Sequence, residues 1–359
     1  MKTYIIAEAG VNHNGSLELA KKLVDVAKIS GADAVKFQTY KTENLVTQSA
    51  HQATYQVKNL GEETTQFDML KKLELSYQQF KELKEYCNHQ AIEFLSTPFD
   101  FESVDFLVHE LRLKTIKIPS GELTNSPFVH YLGTKQLPII LSTGMATIEE
   151  IHESLSFIAF GLEFPGEDVD VDVEKVETFY DTQRAKEVLK AYVKVLHCTT
   201  EYPAPYKTIN LHAMKGLRDE LRLPVGYSDH SEGITVPIAA VALGATVIEK
   251  HFTIDKTLPG PDHLASLSPM ELESMVNGIR AVEQSLGSVI KEPTQIEIIN
   301  RNAARKSIVA KERILKGQPI ARESLTFKRP GNGMDPSRFW SLIGKSSTRN
   351  YEVDDLLDE

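Results

Sequence analysis

Eight short apolar runs, each followed by polar or charged residues, constrain the fold of this chain more than any other feature. They are Tyr4–Ala9, Ala34–Gln38, Glu93–Thr97, Thr115–Pro119, Pro138–Thr143, Val193–Thr199, Leu223–Ser228 and Thr246–His251. Segments of helical periodicity separate them, and in the clearest, Leu17–Ser30, Ser16 can cap the start and Gly31 the end. Near-continuous apolar strands that alternate with helices predict a parallel sheet covered by helices.

The number of repeats indicates the architecture. Eight strand and helix repeats predict an α/β fold of the (β/α)8 TIM barrel type, whose site lies at the C-terminal ends of the strands. A doubly wound open sheet is the alternative. It is less favoured because polar residues follow all eight runs rather than meeting at one crevice.

The character of the sequence changes after the eighth repeat. We predict a barrel domain at residues 1–286, a linker at 287–303 and a small β-rich domain at 304–359. In the last segment, turn signals such as Lys316-Gly317 separate short strand-like pieces. A domain of that size is marginal alone, so we expect it to pack on something larger.

Two long connections interrupt the barrel pattern. Residues 41–72 form a polar insertion after the second strand, and at the catalytic face of a barrel such a segment is a candidate lid. Residues 163–181 are strongly acidic but lack the glycine and terminal glutamate spacing of a calcium loop. We therefore predict a solvated insertion there and assign it no role.

Composition and charge disfavour several classes of protein. Of the 359 residues, 41% are hydrophobic and 25% charged, which is ordinary for a soluble globular protein. The net charge of −10 disfavours a nucleic-acid partner, and no apolar run approaches the roughly 20 residues that span a bilayer. Glu8 lies too early for a secretory signal, so we expect a cytoplasmic protein. The two cysteines, Cys87 and Cys198, cannot build a disulfide framework.

Two histidine motifs close the last two predicted strands. They are Gly226-Tyr227-Ser228-Asp229-His230 and Glu249-Lys250-His251-Phe252-Thr253. A lone histidine is more often a hydrogen-bonded core residue than a ligand. Two imidazoles at successive strand ends, each beside a carboxylate, are typical of half a metal site with open positions for substrate.

Lysines and hydroxyls also gather at the predicted strand ends. The second predicted strand supplies Lys36 and the fourth supplies Lys117. Serine or threonine residues stand at the ends of the third, fourth and fifth strands. Two ammonium groups among hydroxyl donors favour the binding of a phosphorylated, carboxylated small molecule. Alternatively, a lysine forms a Schiff base, or each lysine only pairs with Glu8 or Glu122.

The roles of three carboxylates at the strand ends also stay open at this point. Glu8, Glu122 and Glu249 are each candidates for a general acid or base, or for a group that orients a lysine or histidine. Glu249 precedes His251 by two residues, so both point to the same face of a strand.

A series of motifs along nearly the whole chain resembles the bacterial sialic acid synthase family. The runs that carry the resemblance are 7–15 (AEAGVNHNG), 35–39 (VKFQT), 96–99 (STPF), 117–122 (KIPSGE), 142–145 (STGM), 197–203 (HCTTEYP), 228–230 (SDH), 249–253 (EKHFT), 260–262 (GPD) and 328–333 (KRPGNG). The resemblance implies a (β/α)8 barrel followed by an antifreeze-like (SAF) domain, in a domain-swapped homodimer. It implies condensation of phosphoenolpyruvate with an N-acetylated mannosamine-type sugar to give a nine-carbon 2-keto acid.

The resemblance also implies roles for individual residues. His230 and His251 would hold a divalent metal, Mn²⁺ or Mg²⁺, and with Glu8, Glu122 and Lys117 they form the expected catalytic set. The residues implied to hold phosphoenolpyruvate are Lys36, Thr97, Lys117, Ser120, Ser142 and Ser228, with Thr200 near it. The residues implied to contact the sugar are Gln38, Tyr202 and Asp262, joined by Arg329 of the partner subunit's small domain.

The identity of the sugar stays open at this stage. N-acetylneuraminate synthesis from N-acetylmannosamine is the first hypothesis, and N,N′-diacetyllegionaminate synthesis from a 2,4-diacetamido-6-deoxy sugar is the alternative. A non-catalytic sugar-binding protein is a more remote one, because recognition alone needs neither paired lysines nor metal-binding histidines. A Schiff-base aldolase would be insensitive to EDTA and would be trapped by borohydride.

Overall fold

The computed structural model describes residues 2–61, 63–166 and 171–358, and its larger part is built on eight parallel strands. The strands are β1 Tyr4–Gly10, β2 Ala34–Thr39, β3 Glu93–Pro98, β4 Ile116–Ile118, β5 Ile139–Ser142, β6 Val193–Cys198, β7 Val225–Asp229 and β8 Val247–His251. Each overlaps one of the eight apolar runs, with ends that differ by one or two residues. The hydrophobic pattern therefore predicted these strands correctly.

The strand order closes the sheet into a barrel. Hydrogen bonds join the strands in the order β3-β2-β1-β8-β7-β6-β5-β4, and β3 contacts β4. The first strand thus lies between the second and the last, which an open doubly wound sheet does not allow. The prediction of a (β/α)8 barrel is confirmed.

The interior of the barrel changes from apolar to polar toward the C-terminal ends of its strands. The apolar layer consists of Ile6, Ala34, Leu95, Ile140, Leu196 and Val247. Two residues further along the same six strands stand Glu8, Lys36, Thr97, Ser142, Cys198 and Glu249. Because side chains alternate between the faces of a strand, this second set points into the same interior. The barrel therefore places a polar layer directly above an apolar floor.

Helices surround the barrel and fill both long connections. They are α1 Leu17–Ile29, α2 Thr42–Leu45, α3 Thr54–Leu60, α4 Gln66–Leu73, α5 Tyr77–His89, α6 Phe101–Asp105, α7 Ser126–Thr134, α8 Ile148–Glu163, α9 Val173–Tyr180, α10 Gln183–Tyr192, α11 Ala213–Leu221, α12 Thr235–Ala242 and α13 Pro269–Ser285. In α1, Ser16 accepts the N-cap hydrogen bond, and Ala20, Leu23, Val24 and Ala27 are buried. The described helices include none long and apolar enough to cross a bilayer.

The two predicted insertions carry more regular structure than the sequence indicated. The segment 41–72 contains α2, α3 and most of α4. In the acidic segment, residues 167–170 lie outside the described residues, and the rest includes the helix α9, whose side chains are mostly exposed, as a solvated insertion predicts. Val176 is buried, and the Phe179 ring packs 5.2 Å from that of Phe164. Apolar residues at helical spacing, masked in the sequence by the surrounding acids, stabilise α9 against its neighbours.

The remainder of the chain forms a separate compact unit. The division falls between Leu286 and Gly287. The second unit contains α14 Gln295–Ala304, the antiparallel strands β9 Ser307–Ala310 and β10 Leu325–Lys328, and α15 Phe339–Leu342. Its core consists of Ile308, Ala310, Ile314, Ile320, Leu325, Phe339, Leu342, Tyr351 and Leu357. The predicted linker 287–303 is therefore not wholly irregular, because Thr294 caps a helix within it.

Candidate active site

Two lysines and two carboxylates form the centre of the polar layer in the barrel. Lys36 Nζ lies 2.7 Å from Glu8 Oε2 and 3.6 Å from Glu249 Oε2. Lys117 Nζ lies 3.8 Å from Glu249 Oε1. All four side chains are almost fully buried. Glu249 therefore bridges the two lysines that the sequence predicted to bind an anion.

Hydroxyl groups from three strands complete this cluster. Lys36 Nζ donates to Thr97 Oγ1 at 3.0 Å, and Lys117 Nζ donates to Ser142 Oγ at 2.7 Å. The Ser228 hydroxyl donates to Glu249 Oε1 at 3.0 Å. The structure thus brings together five of the predicted phosphoenolpyruvate ligands, on five different strands. A small anion placed here would meet ammonium groups and hydroxyl donors at once.

Burial and charge act in opposite directions on these ionisable groups. Burial raises the pKa of the Glu8 carboxyl to about 7, although Lys36 opposes that rise. Burial would likewise raise the pKa of Glu249, but the two lysines outweigh it and lower the pKa. Burial lowers the pKa of Lys117, whereas at Lys36 the carboxylates of Glu249 and Glu8 outweigh burial and raise it. Glu8 is thus the carboxyl of this cluster that can exchange a proton near neutral pH.

The two predicted metal-binding histidines stand together at the ends of β7 and β8. The ring centroids of His230 and His251 are 5.6 Å apart, and both side chains are buried. His230 Nδ1 lies 2.6 Å from the carbonyl oxygen of Thr199, which leaves Nε2 for a ligand. His251 Nδ1 is buried and meets no hydrogen-bond partner in the described part of the chain. Burial lowers the pKa of His230 to about 4, so the neutral, metal-binding form of that imidazole is favoured.

Glycine is required where the His251 ring approaches the carboxylate of Glu8. Glu8 faces His251 in the register of β1 and β8. Gly10 adopts a φ of +53°, and a Cβ there would lie 3.3 Å from both Glu8 Oε1 and His251 Cε1. A side chain at this position would be strained and would press on both groups.

Tyr202 connects the imidazoles to the insertion between β2 and β3. Its ring stacks on His230 with centroids 4.0 Å apart, and the ring of Tyr55 in α3 lies 5.0 Å from that of Tyr202. Asn59 Nδ2 donates to the carbonyl oxygen of Tyr202 at 3.4 Å and to that of Pro261 at 2.7 Å. The candidate lid therefore lies over the loops that follow β6 and β8, next to Asp262.

The carboxyl of Asp262 is buried without a side-chain hydrogen bond to any residue that the structure describes. Burial raises its pKa to about 6. Burying a charge without a partner is costly, so such a group is rarely retained for stability. Its position beside the Tyr55 and Tyr202 pair is consistent with the predicted sugar contact.

A second group of polar atoms surrounds Gly144, after β5. The Gly144 amide donates to Ser120 Oγ at 2.9 Å, and Ser120 Oγ lies 3.2 Å from Cys198 Sγ. Thr200 Oγ1 is buried and lacks a partner among the described residues. A Cβ on Gly144 would lie within 3 Å of all three side chains, so only glycine leaves this concave surface open.

Two predicted residues of the barrel, Glu122 and Gln38, make none of these contacts, and a third, Arg329, belongs to the second unit. The carboxylate of Glu122 accepts a hydrogen bond from Asn125 Nδ2 at 2.8 Å, and burial raises its pKa. Gln38 pairs in register with Thr97 and is partly exposed. Arg329 is exposed after β10 in the second unit. The roles of Glu122, Gln38 and Arg329 stay predictions.

Comparison with known proteins decides the family. The model of the NeuB family matches residues 23–291. An N,N′-diacetyllegionaminic acid synthase of Campylobacter jejuni is 47% identical, covering 100% of this chain and 99% of the relative. A protein of the same name from Legionella pneumophila is also 47% identical, over 98% of this chain and 92% of its own length. The chain belongs to the NeuB family.

A solved structure supports the same placement. The N-acetylneuraminic acid (sialic acid) synthetase of Leptospira borgpetersenii is 32% identical, with a TM-score of 0.65 over 85% of this chain and 93% of that chain. The predicted resemblance to the sialic acid synthase family is confirmed by this NeuB membership. The similarity to the two legionaminic acid synthases is higher, so the comparisons favour the alternative hypothesis for the sugar over the first one.

Proposed function

We propose that this chain is an N,N′-diacetyllegionaminate synthase, which condenses phosphoenolpyruvate with a 2,4-diacetamido-6-deoxy mannose and water. The products are a nine-carbon 2-keto sugar acid and inorganic phosphate. The observation that carries the choice of sugar is the 47% identity to two relatives named for that product, over at least 98% of this chain. N-acetylneuraminate synthesis has weaker support, because the solved relative named for it is 32% identical.

The lysine and carboxylate cluster supports phosphoenolpyruvate as one substrate. When Lys36, Lys117, Glu8 and Glu249 are all ionised, their charges cancel. Glu8, with a pKa of about 7, can take up a proton near neutral pH, which leaves the cluster with a net positive charge. A buried, positively charged pocket lined by hydroxyl donors stabilises an anion strongly, because little water screens the charges.

The reaction that we propose starts with attack by C3 of phosphoenolpyruvate on the aldehyde carbon of the open-chain sugar. The attack leaves an oxocarbenium at C2, to which water adds. Protonated Glu8 gives its proton to the aldehyde oxygen as the carbon–carbon bond forms. A carboxylate then accepts the proton of that water, with the ionised Glu8 as our first candidate and Glu122 as the second. The hemiketal phosphate then collapses by cleavage of its C–O bond, releasing phosphate and the 2-keto acid. Tyr202 and Asp262 hold the sugar beside this centre.

We further propose that His230 and His251 hold a divalent cation, Mn²⁺ or Mg²⁺. The described residues contain no group of three or more His, Cys, Asp or Glu side chains arranged as a metal site, and the two imidazoles are the ligands that we propose. The buried, unpartnered Nδ1 of His251 and the free Nε2 of His230 fit such a two-histidine site. A bound cation supplies Lewis acidity that polarises the sugar aldehyde, and open coordination positions suit this chemistry.

Chelation tests the metal separately from the sugar. We expect EDTA-treated protein to lose turnover and to regain it with Mn²⁺, and His230→Ala or His251→Ala to abolish turnover in a folded protein. Full activity after exhaustive chelation would contradict the metal proposal without touching the choice of sugar. Trapping of a lysine adduct by borohydride would instead favour the aldolase alternative.

We also propose the domain-swapped homodimer with an antifreeze-like second unit. In the second unit, large apolar side chains are exposed along residues 289–299, namely Val289, Ile290, Ile296 and Ile299. Contiguous exposed apolar residues mark interaction surfaces, and a second copy of this chain is the proposed occupant. Light scattering should give the mass of a dimer, and Ile296→Asp with Ile299→Asp should give a monomer. A monomeric natural chain would contradict this proposal.

A comparison of two sugars tests the central proposal. Phosphate release is measured with saturating phosphoenolpyruvate and Mn²⁺, using the 2,4-diacetamido-6-deoxy sugar and N-acetylmannosamine in parallel. We expect kcat/KM to be at least tenfold higher for the diacetamido sugar. A preference for N-acetylmannosamine would restore the N-acetylneuraminate hypothesis. No release above background with either sugar would contradict the synthase function.

A further inference from the structure

A fully buried ion pair joins the two strands that carry the histidines. Lys250 Nζ lies 2.7 Å from Asp229 Oδ2, and both side chains are 0% exposed. Asp229 and Lys250 face each other in the register of β7 and β8. His230 directly follows Asp229 at the end of β7, and His251 directly follows Lys250 in β8. The pair therefore occupies the rung that adjoins both imidazoles.

Hydrogen bonds fix this ion pair on all sides. The Tyr227 hydroxyl and the Ser231 amide each donate to Asp229 Oδ1, both at 2.9 Å. Lys250 also donates to the carbonyl oxygen of Ser231. The backbone on both sides of His230 is thus held by the same two charged side chains. The Thr199 carbonyl, 2.6 Å from His230 Nδ1, restrains the ring itself.

A side-chain hydrogen bond also links the same two strands on their inward face. Ser228 and Glu249 are register partners, and their side chains are hydrogen-bonded at 3.0 Å. Consecutive rungs of β7 and β8 are therefore linked by side chains on both faces of the barrel wall. A buried ion pair is weak support for stability, because desolvation of the two charges offsets their attraction. Its directional contacts restrict geometry instead.

We propose that Asp229 and Lys250 are positioning residues for the cation site, which hold β7 against β8 so that His230 and His251 keep the separation that one cation requires. The inference rests on the metal site proposed above. Groups that orient metal ligands without touching the metal commonly change its affinity by 10- to 100-fold when they are replaced. Neither residue contacts substrate in this proposal.

The experiment measures Mn²⁺ binding in the absence of substrates, by the electron paramagnetic resonance signal of free Mn²⁺. The main variant combines Asp229→Asn with Lys250→Met, which removes both charges but keeps an acceptor for Tyr227 and Ser231. A milder variant, Tyr227→Phe, removes one hydrogen bond from Asp229. We expect the double variant to bind Mn²⁺ at least tenfold more weakly and Tyr227→Phe about threefold more weakly, each with a circular dichroism spectrum like that of the natural protein.

A matched control separates positioning from stability. Arg280 forms a partly buried ion pair with Asp33 at 2.7 Å and donates to the Thr3 carbonyl, at the N-terminal end of the barrel. Arg280→Met should lower the melting temperature and leave Mn²⁺ affinity unchanged. If the double variant and Tyr227→Phe keep the natural Mn²⁺ affinity, the positioning role is wrong. If His230→Ala also binds Mn²⁺ like the natural protein, the metal site itself is wrong, which is a different failure.

Discussion

Tyr55 in α3 packs against Tyr202, with ring centroids 5.0 Å apart, and so brings the insertion after β2 over the loop that covers His230. These residues are far apart in the sequence, and α3 was predicted only as part of a polar segment. Asn59 of the same helix adds hydrogen bonds to the carbonyls of Tyr202 and Pro261. The insertion is therefore part of the wall of the proposed sugar site.

The first prediction concerns this aromatic pair. Tyr55→Ala should raise the KM for the sugar by about 3- to 10-fold, because an aromatic pair is worth about 0.5–1.5 kcal/mol beyond its buried area. The KM for phosphoenolpyruvate should change less than twofold. Lys58→Ala, an exposed position on the same helix, is the control and should behave like the natural protein. Equal effects on both substrates would show that Tyr55 acts on the whole fold rather than on the sugar.

The second prediction concerns the free energy of unfolding, which the buried Asp262 carboxylate lowers at high pH. Its pKa is raised to about 6 in the folded chain, so this group favours folding most at low pH, and that contribution is lost as the pH rises through 6. Asp262→Asn should therefore raise the free energy of unfolding at pH 8 by about 1–3 kcal/mol, with little difference near pH 4. Urea unfolding at both pH values checks this. A less stable variant at pH 8 would mean that the carboxylate has a stabilising partner.

The third prediction concerns Glu249 between the two lysines. Glu249→Gln removes a negative charge from the proposed anion site, so phosphoenolpyruvate should bind severalfold more tightly in calorimetry without sugar. Because the lysines lose the group that orients them, kcat should fall by at least about 100-fold. Glu122→Gln, whose carboxylate contacts Asn125, should change phosphoenolpyruvate affinity less than twofold. Weaker binding by Glu249→Gln would place the anion elsewhere.

The fourth prediction concerns the concave surface at Gly144. In Gly144→Ala the new Cβ would lie 2.7 Å from Cys198 Sγ and 2.8 Å from Ser120 Oγ, and closer still to Thr200 Oγ1. These side chains must move, so the KM for phosphoenolpyruvate should rise at least tenfold. Gly121→Ala is the matched control, because a Cβ there meets nothing within 4 Å. If both variants retain the natural KM, Ser120 and Thr200 do not bind this substrate.

Much of the barrel was predictable because its signals are local. The eight apolar runs correspond to the eight strands, and alternation within a strand correctly placed Glu249 and His251 on one face. The sequence analysis did not predict the helix α9, because acidic residues surround its apolar ones, among them Val176 and Phe179. Tertiary packing against α8 and α10 stabilises α9, and this packing cannot be predicted from the local composition of the segment.

The sequence by itself determined the strand and helix repeats, the family, and which charged and polar side chains stand at the strand ends. Only the tertiary structure decided which of these groups meet. Glu249, one of three equivalent carboxylates in the sequence, became the bridge between Lys36 and Lys117, and Asp229 and Lys250 became a buried pair. The physical reason is that such contacts depend on the register between strands and on the closure of the barrel, and both result from many pairings between residues far apart in the sequence. The periodicity of a strand or helix, in contrast, depends only on residues that are near in the sequence.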